Sequence, residues 1–311
     1  MYSICDEQLA EVTEEDCCGN GCSNCILDTK PSSRHRVDKT GKKNIILNYS
    51  KYKLLGKSPH TPNLVNVMEL HFVSANTSKS ADYMLDIPAG HHLMMQTKYL
   101  CRPYSPYWVH TMNLEFKILV NLKPNGPMSQ YITRLHEGDE VEFRGPIGSI
   151  ELVMGNDSPQ CYFIITQGVA IASTLPVIEQ LLADEKSFGR IFYFGCFQDL
   201  NHVYFRERLL EYNKYWNFKE SIYLSHQKCG STTCADHGCT NQCENFRKSL
   251  RYKEPVYTRR LDIKELEDIC RDVGKAEKIF IICGTRQFQD NFAKSIRDME
   301  VQIDIDKIFK L

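Results

Sequence analysis

The stretch that decides the fold is Arg102-Pro103-Tyr104-Ser105-Pro106. On a strand, residues of these types at this spacing can do three jobs together. The guanidinium can hold a pyrophosphate through two parallel hydrogen bonds, and the phenol ring can lie flat on an aromatic cofactor. The hydroxyl or its backbone amide can bond to the edge of that ring. Taken alone, the same five residues also fit an ordinary surface loop after a strand.

Further motifs follow in order along the chain. They are Phe116-Lys117-Ile118, Gly126-Pro127-Met128-Ser129, Gly138-Asp139-Glu140-Val141 and Arg144-Gly145-Pro146-Ile147-Gly148. The second of them is a turn that opens a helix, and such a turn points free backbone amides at an anion. A simple N-capped helix without a ligand is the alternative. The ordered set favours a cofactor that combines phosphates with an aromatic ring.

The region around these motifs, residues 44–152, is predicted to be a small antiparallel barrel. Short β-type segments lie at 44–49, 65–73, 92–97, 114–121 and 140–144, with one helical segment near 128–135. Gly, Pro and Asn separate them. Several short strands at this spacing are typical of an antiparallel barrel.

Residues 160–311 show a different rhythm of strand, helix and strand. Residues 161–166 form a continuous apolar run, as expected for a strand buried on both faces, and a helix-like segment follows at 174–185. The unit repeats at 190–194 with 205–212, and at 278–283 with 288–299. This alternation predicts a parallel sheet covered by helices. A cysteine-rich insertion interrupts it at about 226–257.

Composition limits the class of protein. The chain has 311 residues, 42% of them hydrophobic, and a net charge of −1. Two domains with real cores are therefore expected, and no basic surface indicates nucleic acid as a partner. No apolar run is long enough to cross a bilayer, and residues 1–16 are acidic, so we expect neither a membrane-spanning segment nor a secretory signal. Fourteen cysteines are then expected to face a reducing compartment.

The order and spacing of these motifs resemble the ferredoxin reductase superfamily, and most closely the NADH–cytochrome b5 reductase family, from about residue 63 onward. The resemblance implies an FAD-binding β-barrel followed by a Rossmann-like parallel α/β nucleotide-binding domain. In the barrel it implies Arg102 on the FAD pyrophosphate, Tyr104 on the isoalloxazine and Ser105 at the reactive ring. Pro103 belongs to the same motif.

Two more motifs carry implied flavin contacts. The family's Gly-x-Met-Ser turn corresponds to Gly126, Met128 and Ser129, and implies that the amides around Met128 and Ser129 cradle the diphosphate. Lys117 falls at a position that also lines the flavin in the family. FAD is therefore the first expected cofactor.

The nicotinamide half departs from the family pattern. Where the family has Gly-Gly-Thr-Gly-Ile-Thr-Pro, this chain has Gln167-Gly168-Val169-Ala170-Ile171-Ala172-Ser173. Only Gly168 remains of the three glycines, and each added Cβ crowds a turn that must approach phosphates closely. We therefore expect the fold to be kept, whereas the affinity for NADH is left open.

The end of the sheet departs in the same way. The family's Cys-Gly-Pro-Pro-Pro-Met corresponds to residues 283–288, where Cys283 and Gly284 remain and the prolines are lost. The resemblance implies Cys283 beside the nicotinamide. A buried strand-end thiol is the alternative, because buried cysteine is common.

If the family chemistry holds, NADH reduces FAD, and the flavin passes single electrons to a haem protein such as cytochrome b5. Tyr104 and Ser105 would fix the ring, Cys283 would border the nicotinamide, and no protein acid or base is required. Two alternatives stay open. One is a flavin-bound scaffold or sensor with a degraded NADH site, and the other is a zinc-stabilised interaction protein on a reused reductase fold.

The first cysteine cluster lies in residues 1–43 and comprises Cys17, Cys18, Cys22 and Cys25. Its Cys-x-x-Cys spacing can place two thiolates on one metal, which makes a metal site the favoured interpretation. A tail of free, oxidisable thiols and an intersubunit redox contact are the alternatives. The segment resembles the oxidoreductase-like N-terminal segment of some mitochondrial proteins. This resemblance makes the mitochondrion the alternative location, and the cytoplasm is the default.

The second cluster comprises Cys229, Cys234, Cys239 and Cys243, in the insertion with His226 and His237. Their spacing does not match the two short knuckles of a zinc ribbon, although the ligand types suit Zn²⁺. Reduced surface thiols on an insertion are an equal alternative. An iron–sulfur cluster ranks below zinc, since no matching motif is present.

Overall fold

The structure is a computed structural model that describes residues 11–19, 24–28, 37, 41–76, 82–152, 159–184, 189–228, 239–301 and 303–311. The chain divides into two compact units, Met1–Ser149 and Ile150–Leu311. Within the ranges just given, no helix is both long enough and apolar enough to span a bilayer.

The first unit is built mainly from antiparallel strands. Its elements are β1 (Lys43–Asn44), β2 (Ser50–Pro59), β3 (Val67–Ser74), β4 (Tyr83–Met84), β5 (His92–Gln96), β6 (Cys101–Tyr104), β7 (Pro106–His110), β8 (Glu115–Asn121), α1 (Pro127–Arg134) and β9 (Glu140–Ile147). Seven of these strands form one sheet in the order β6-β5-β9-β2-β3-β8-β7, and β1 pairs with β4 in a short parallel ladder.

The order of the strands closes this sheet into a barrel. β6 and β7 stand at opposite ends of the order, yet only Ser105 separates them in the chain. The two edges of the sheet therefore meet at Ser105, as the closure of a barrel requires. Four aromatic rings fill the centre, with neighbouring ring centroids between 4.9 and 5.8 Å apart: Tyr52, Phe72, Phe116 and Phe143.

The predicted strand over residues 44–49 is wrong. β1 ends at Asn44, and the strand that belongs to the barrel begins at Ser50. The intervening apolar residues form turns, and Ile45 and Ile46 pack into the barrel core. A run of consecutive apolar residues fits a buried turn as well as a strand, because both bury neighbouring side chains.

The second unit alternates strands and helices. Its elements are β10 (Gln160–Gln167), α2 (Ile171–Leu182), β11 (Arg190–Phe197), α3 (Arg206–Tyr212), β12 (Phe218–Leu224), α4 (Glu244–Ser249), β13 (Val256–Tyr257), α5 (Ile263–Asp272), β14 (Glu277–Cys283), α6 (Arg286–Arg297) and β15 (Ile308–Lys310). The strand order is β13-β12-β11-β10-β14-β15, and every neighbouring pair is parallel.

The burial of the central strand, β10, explains why the sequence predicted it. β10 is buried from Gln160 to Thr166, with β11 and β14 on either side. Phe163 on β10 stacks between Phe192 and Phe280, with ring centroids at 5.3 and 4.8 Å. A strand covered on both faces needs apolar residues at every position, which is the pattern that predicted it.

The sequence prediction missed β12, α4, β13, α5 and β15 of the second unit, and β12 and α5 show why. β12 carries Lys219, Glu220 and Ser221 in succession, so it lacks an apolar run, although Glu220 is buried. α5 did carry a usable signal. Asp262 and Glu265 form a capping box at its first turn, and that pattern marks the start of a helix.

Candidate functional site

The barrel closure positions the motif on which the sequence prediction depends. Arg102 and Tyr104 lie on β6, and Ser105 is the residue that joins β6 to β7. All three are half-buried. The motif therefore lies where the two edges of the barrel sheet meet. The seam of the barrel is therefore the candidate flavin site.

The Arg102 guanidinium is held along one edge. Its Nη1 donates to the carbonyl of Cys18 at 2.7 Å and to the carbonyl of Cys101 at 2.8 Å. Among the described residues, neither Nε nor Nη2 of Arg102 has a hydrogen-bond partner. The N–H groups of Nε and Nη2 remain available to bond an anion with two oxygens.

Tyr104 offers an aromatic face beside this arginine. Its ring packs against the barrel core, opposite Leu93 in the β5–β6 ladder. Burial raises the pKa of the Tyr104 phenol to about 12, although the nearby Arg102 charge opposes the shift. The phenol is therefore neutral across the physiological range, and its ring is fixed from one side by packing.

Lys117 lies on β8, away from the motif along the sheet order. It is half-buried, and its ammonium lies 5.1 Å from the centre of the Trp108 ring on β7. β7 starts directly after Ser105, so Lys117 is one strand away from the seam. Its predicted role at the flavin stays a prediction.

The start of α1 has the geometry of an anion-binding turn. The first helical hydrogen bond runs from the Gln130 amide to the Gly126 carbonyl at 2.9 Å. Met128 and Ser129 precede it, so their amides have no partner within the helix. The Ser129 hydroxyl accepts from the Lys123 amide at 2.9 Å and fixes the turn. The Met128 side chain is anchored in the barrel core.

In the second unit, the candidate nicotinamide residues lie at the carboxyl ends of the parallel strands. Gly168 follows β10 with a φ of +57°, a backbone conformation that favours glycine. It begins a short 3-10 turn, Gly168–Ala170, which leads directly into α2. Ligands of open parallel sheets bind at this end of the strands.

The Gln167 side chain bridges two of these strand ends. Its Oε1 accepts from the Thr285 amide at 3.1 Å and from the Thr285 hydroxyl at 2.9 Å. A Cβ added to Gly284 would lie 2.8 Å from the Gln167 Cβ and from Phe288 Cδ1. Gly284 is therefore required by close packing, and Gln167 occupies the space above it. The sequence indicated that Gln167 was unusual, but not that it contacts Thr285.

Cys283 has a partner that sequence reasoning missed. Its Sγ lies 2.8 Å from the Ser173 hydroxyl at the start of α2, and both side chains are buried. Burial raises the pKa of the Cys283 thiol to about 11, so the thiol is neutral at physiological pH. The signal for this contact was the serine itself, which stands where the family has proline. The structure brings Gly168, Ser173, Cys283 and Gly284 to one end of the sheet.

The two predicted metal sites receive no support from the residues that the structure describes. Within them, no group of three or more His, Cys, Asp or Glu side chains is placed to hold a metal. Cys22, Cys229, Cys234 and His237 fall outside that part of the chain. Cys239 is buried, and Cys243 precedes α4. Both metal hypotheses stay predictions.

The chain is similar to several known proteins. Residues 66–152 match the oxidoreductase FAD-binding domain family. The NADH-cytochrome b5 reductase-like protein of Mus musculus is 22% identical, over 92% of this chain and 90% of the relative. The cytochrome b5 reductase domain of Ulva prolifera nitrate reductase has a TM-score of 0.64 at 17% identity, covering 86% of this chain and 99% of that domain.

A ferredoxin NADP+ reductase from Neisseria gonorrhoeae, solved with FAD and NADP, has a TM-score of 0.59 at 13% identity, covering 85% of this chain and 98% of that one. At such identities, likeness to solved structures establishes the fold, and it confirms the predicted ferredoxin reductase-like fold. Together these comparisons show an oxidoreductase FAD-binding domain at residues 66–152, in a chain that is similar over most of its length to NADH-cytochrome b5 reductase-like proteins.

Proposed function

We propose that this chain is an FAD-dependent reductase that takes electrons from NADH and passes them to a haem protein such as cytochrome b5. The observation that carries the proposal is Arg102 at the barrel seam, with one edge of its guanidinium fixed and the other open. The match of residues 66–152 to an FAD-binding oxidoreductase family supports the same cofactor.

The residues at the seam fit FAD. The N–H groups of Nε and Nη2 of Arg102 would bond the pyrophosphate, which is the geometry in which arginine binds phosphate most strongly. The amides of Met128 and Ser129 would add uncharged donors to the phosphates. Tyr104 would lie on the isoalloxazine, and Ser105 would bond the edge of the ring.

When bound, FAD supplies the conversion between a two-electron donor and a one-electron acceptor. The chain's own residues then bind and orient. The neutral Tyr104 phenol places no charge against the ring, since its pKa of about 12 keeps it protonated. Arg102 offsets the phosphate charge. None of these roles moves a proton, so no catalytic acid or base is needed.

The second unit would hold the nicotinamide nucleotide. Gly168 keeps the left-handed conformation that opens the strand-to-helix turn. Cys283 would border the nicotinamide as a neutral thiol held by Ser173. The preference for NADH over NADPH comes from the family resemblance alone.

A second candidate function is a flavin-binding protein without NADH turnover. The observation that favours it is the Gln167 bridge to Thr285, which occupies the strand ends where a pyridine nucleotide would bind. In this case the barrel would bind FAD and the second unit would act as a scaffold.

Steady-state turnover separates the two candidates. NADH consumption by the FAD-loaded full chain is measured with cytochrome b5 as acceptor, and in parallel with ferricyanide. Turnover with both acceptors supports the reductase. Turnover with ferricyanide alone keeps the reductase and rejects cytochrome b5 as its acceptor. No turnover with either acceptor, despite bound FAD, favours the scaffold.

A further inference from the structure

Part of the N-terminal region is docked on the barrel. Residues 11–19 and 24–28, which we call the cysteine segment, place Cys18 and Ile26 in a small apolar cluster. The cluster also contains Met94 of β5, Cys101 of β6 and Ile147 of β9. Cys18 is 8% exposed and Ile26 is 1% exposed. The cysteine segment is therefore packed on three strands of the flavin domain, including the strand that carries Arg102.

Polar contacts fix the same segment. Asp16 and Arg144 form a buried ion pair at 3.3 Å, and the Ser149 hydroxyl donates to the Asn24 side chain at 2.8 Å. The Cys18 carbonyl accepts from Arg102 at 2.7 Å. The last contact links the segment directly to the arginine that is proposed to bind the flavin.

The cysteine segment brings two thiols into contact. The Sγ atoms of Cys17 and Cys25 lie 3.5 Å apart, and both residues are half-buried. Each is the immediate neighbour of an anchoring residue, Cys18 for Cys17 and Ile26 for Cys25. An S–S bond of about 2.05 Å requires the sulfurs to approach by about 1.5 Å.

A metal site is the alternative for these thiols. Among the described residues, Cys17 and Cys25 are the two cysteines whose sulfurs are in contact, and Cys18 lies in the apolar cluster. A structural zinc ion takes four ligands, and the zinc measurement below separates the two possibilities.

We propose that Cys17 and Cys25 are a redox-active pair whose disulfide fastens the cysteine segment against Arg102. The oxidant is a small-molecule disulfide such as oxidised glutathione. One cysteine sulfur attacks it and releases one glutathione thiol, and the second cysteine sulfur then displaces the other glutathione. Two S–H bonds and the glutathione S–S bond are replaced by the Cys17–Cys25 bond and two glutathione thiols. Two electrons pass to glutathione.

The disulfide acts on the flavin site through the Cys18 carbonyl, and this effect rests on the proposed function. Closing the Cys17–Cys25 ring restricts the chain that carries this carbonyl, so Nη1 of Arg102 stays fixed before a ligand arrives. A side chain fixed in advance loses less entropy on binding, and we expect FAD to bind about 3- to 10-fold more tightly to the oxidised form.

The pair is tested first without flavin. The full chain and its variants are equilibrated in glutathione buffers, quenched, alkylated and analysed by peptide mass, and the zinc content is measured on the same samples. Wild type, Cys22→Ser and the remote control Cys243→Ser should lose two thiols from the peptide containing residues 17–25. Cys17→Ser and Cys25→Ser should form no disulfide within this peptide and should lose at most one thiol, as a mixed disulfide with glutathione that peptide mass identifies. A disulfide within the peptide that persists in Cys17→Ser or Cys25→Ser, or stoichiometric zinc on these thiols, overturns the proposal.

The link to Arg102 has two readouts. Deuterium uptake of residues 11–19 should fall on oxidation in wild type and not in Cys25→Ser, whether or not flavin is present. The FAD dissociation constant should fall by the stated factor in wild type only. An oxidised protein with unchanged uptake and unchanged affinity overturns the link. If FAD binds neither form, the proposed function fails, and the mass and uptake results still decide the disulfide.

Discussion

At Arg102, the two edges of the guanidinium differ. One edge is held by backbone carbonyls from the cysteine segment and from β6, and the other edge is open. The motif around Arg102 predicted an arginine that binds a pyrophosphate, and an open edge is compatible with that role. Nothing in the motif indicated the contact with Cys18, which is 84 residues away in the chain.

The open edge leads to a prediction on affinity. We expect Arg102→Ala to weaken FAD binding by about 10- to 100-fold, since charge-assisted hydrogen bonds to the pyrophosphate are lost. Equilibrium titration of the apoprotein with FAD measures the effect. Arg134→Ala, an exposed arginine at the far end of α1, serves as the control and should bind as wild type does. Equal affinity for Arg102→Ala and wild type would contradict the flavin assignment.

The Gln167 bridge leads to a prediction on the nicotinamide side. Replacing Gln167 with Gly removes the acceptor of the Thr285 amide and hydroxyl and empties the space above Gly284. We expect Gln167→Gly to lower the KM for NADH by about 3- to 10-fold, because one or two hydrogen-bonding groups are freed for the ligand.

Steady-state kinetics with ferricyanide measure this KM. Gln242→Gly, an exposed glutamine in the insertion, is the matched control. A raised KM in Gln167→Gly would mean that the bridge shapes the nucleotide site and does not obstruct it.

At the scale of elements, the cysteine segment and β9 are joined by the ion pair of Asp16 and Arg144. Both side chains are almost fully buried, and Arg144 also donates to the carbonyls of Glu11 and Leu47. Removing one partner of a buried pair leaves an uncompensated charge, which is more damaging than losing a surface pair.

We therefore expect Asp16→Ala to reduce the free energy of unfolding of the first unit. Removing one partner of a buried pair costs about 3–5 kcal/mol, and we expect a loss near the lower value because carbonyl acceptors of Arg144 remain. Urea unfolding followed by Trp108 fluorescence, in a Trp216→Phe background, measures it. Glu140→Ala breaks the exposed pair with Lys51 and should cost about 1 kcal/mol or less. Equal effects of the two substitutions would show that the cysteine segment contributes no buried electrostatic contact.

The sequence predicted those helices and strands in which a single hydrophobic pattern extends over the whole element. The apolar run of β10 and the amphipathic α6 were found within three residues of their bounds. β12 was missed since Glu220 and its polar neighbours interrupt the apolar pattern. The turn after Asn44 was taken for a strand because Ile45, Ile46 and Leu47 are consecutive apolar residues, all of them buried. Tertiary packing decides such segments, and local sequence does not record it.

At the scale of the whole molecule, the two units carry buried titratable groups of opposite character. In the first unit, burial lowers the pKa of His92 from 6.5 to about 4. In the second unit, burial raises the pKa of Glu220 from 4.5 to about 7. Both side chains have a buried atom, His92 Nε2 and Glu220 Oε2, that has no hydrogen-bond partner among the residues that the structure describes. Each group is neutral in the folded state where the unfolded chain would charge it.

The pH dependences of the two units should therefore run in opposite directions. The unfolded first unit binds an extra proton at His92 between about pH 4 and 6.5, so its stability falls as the pH drops through that window. The folded second unit binds an extra proton at Glu220 between about pH 4.5 and 7, so its stability falls as the pH rises. From pH 7 to pH 5 we expect changes on the order of 1–2 kcal/mol for each, with opposite signs.

Urea unfolding with hydrogen exchange of peptides from β5 and β12 reads the two units separately. His92→Gln and Glu220→Gln should each remove the dependence from their own unit and leave the other unit unchanged. A dependence that survives its matched substitution would assign the effect to other groups.

The central claim is that the full chain is a flavoprotein that accepts electrons from NADH, and a visible absorption spectrum tests it most directly. The purified chain is supplied with FAD, freed of excess, and recorded before and after anaerobic addition of NADH. We predict flavin bands at one FAD per chain that bleach when NADH is added. Bands that persist would contradict the reductase and leave a flavin-binding scaffold, and no bands after FAD is supplied would contradict the flavin site itself.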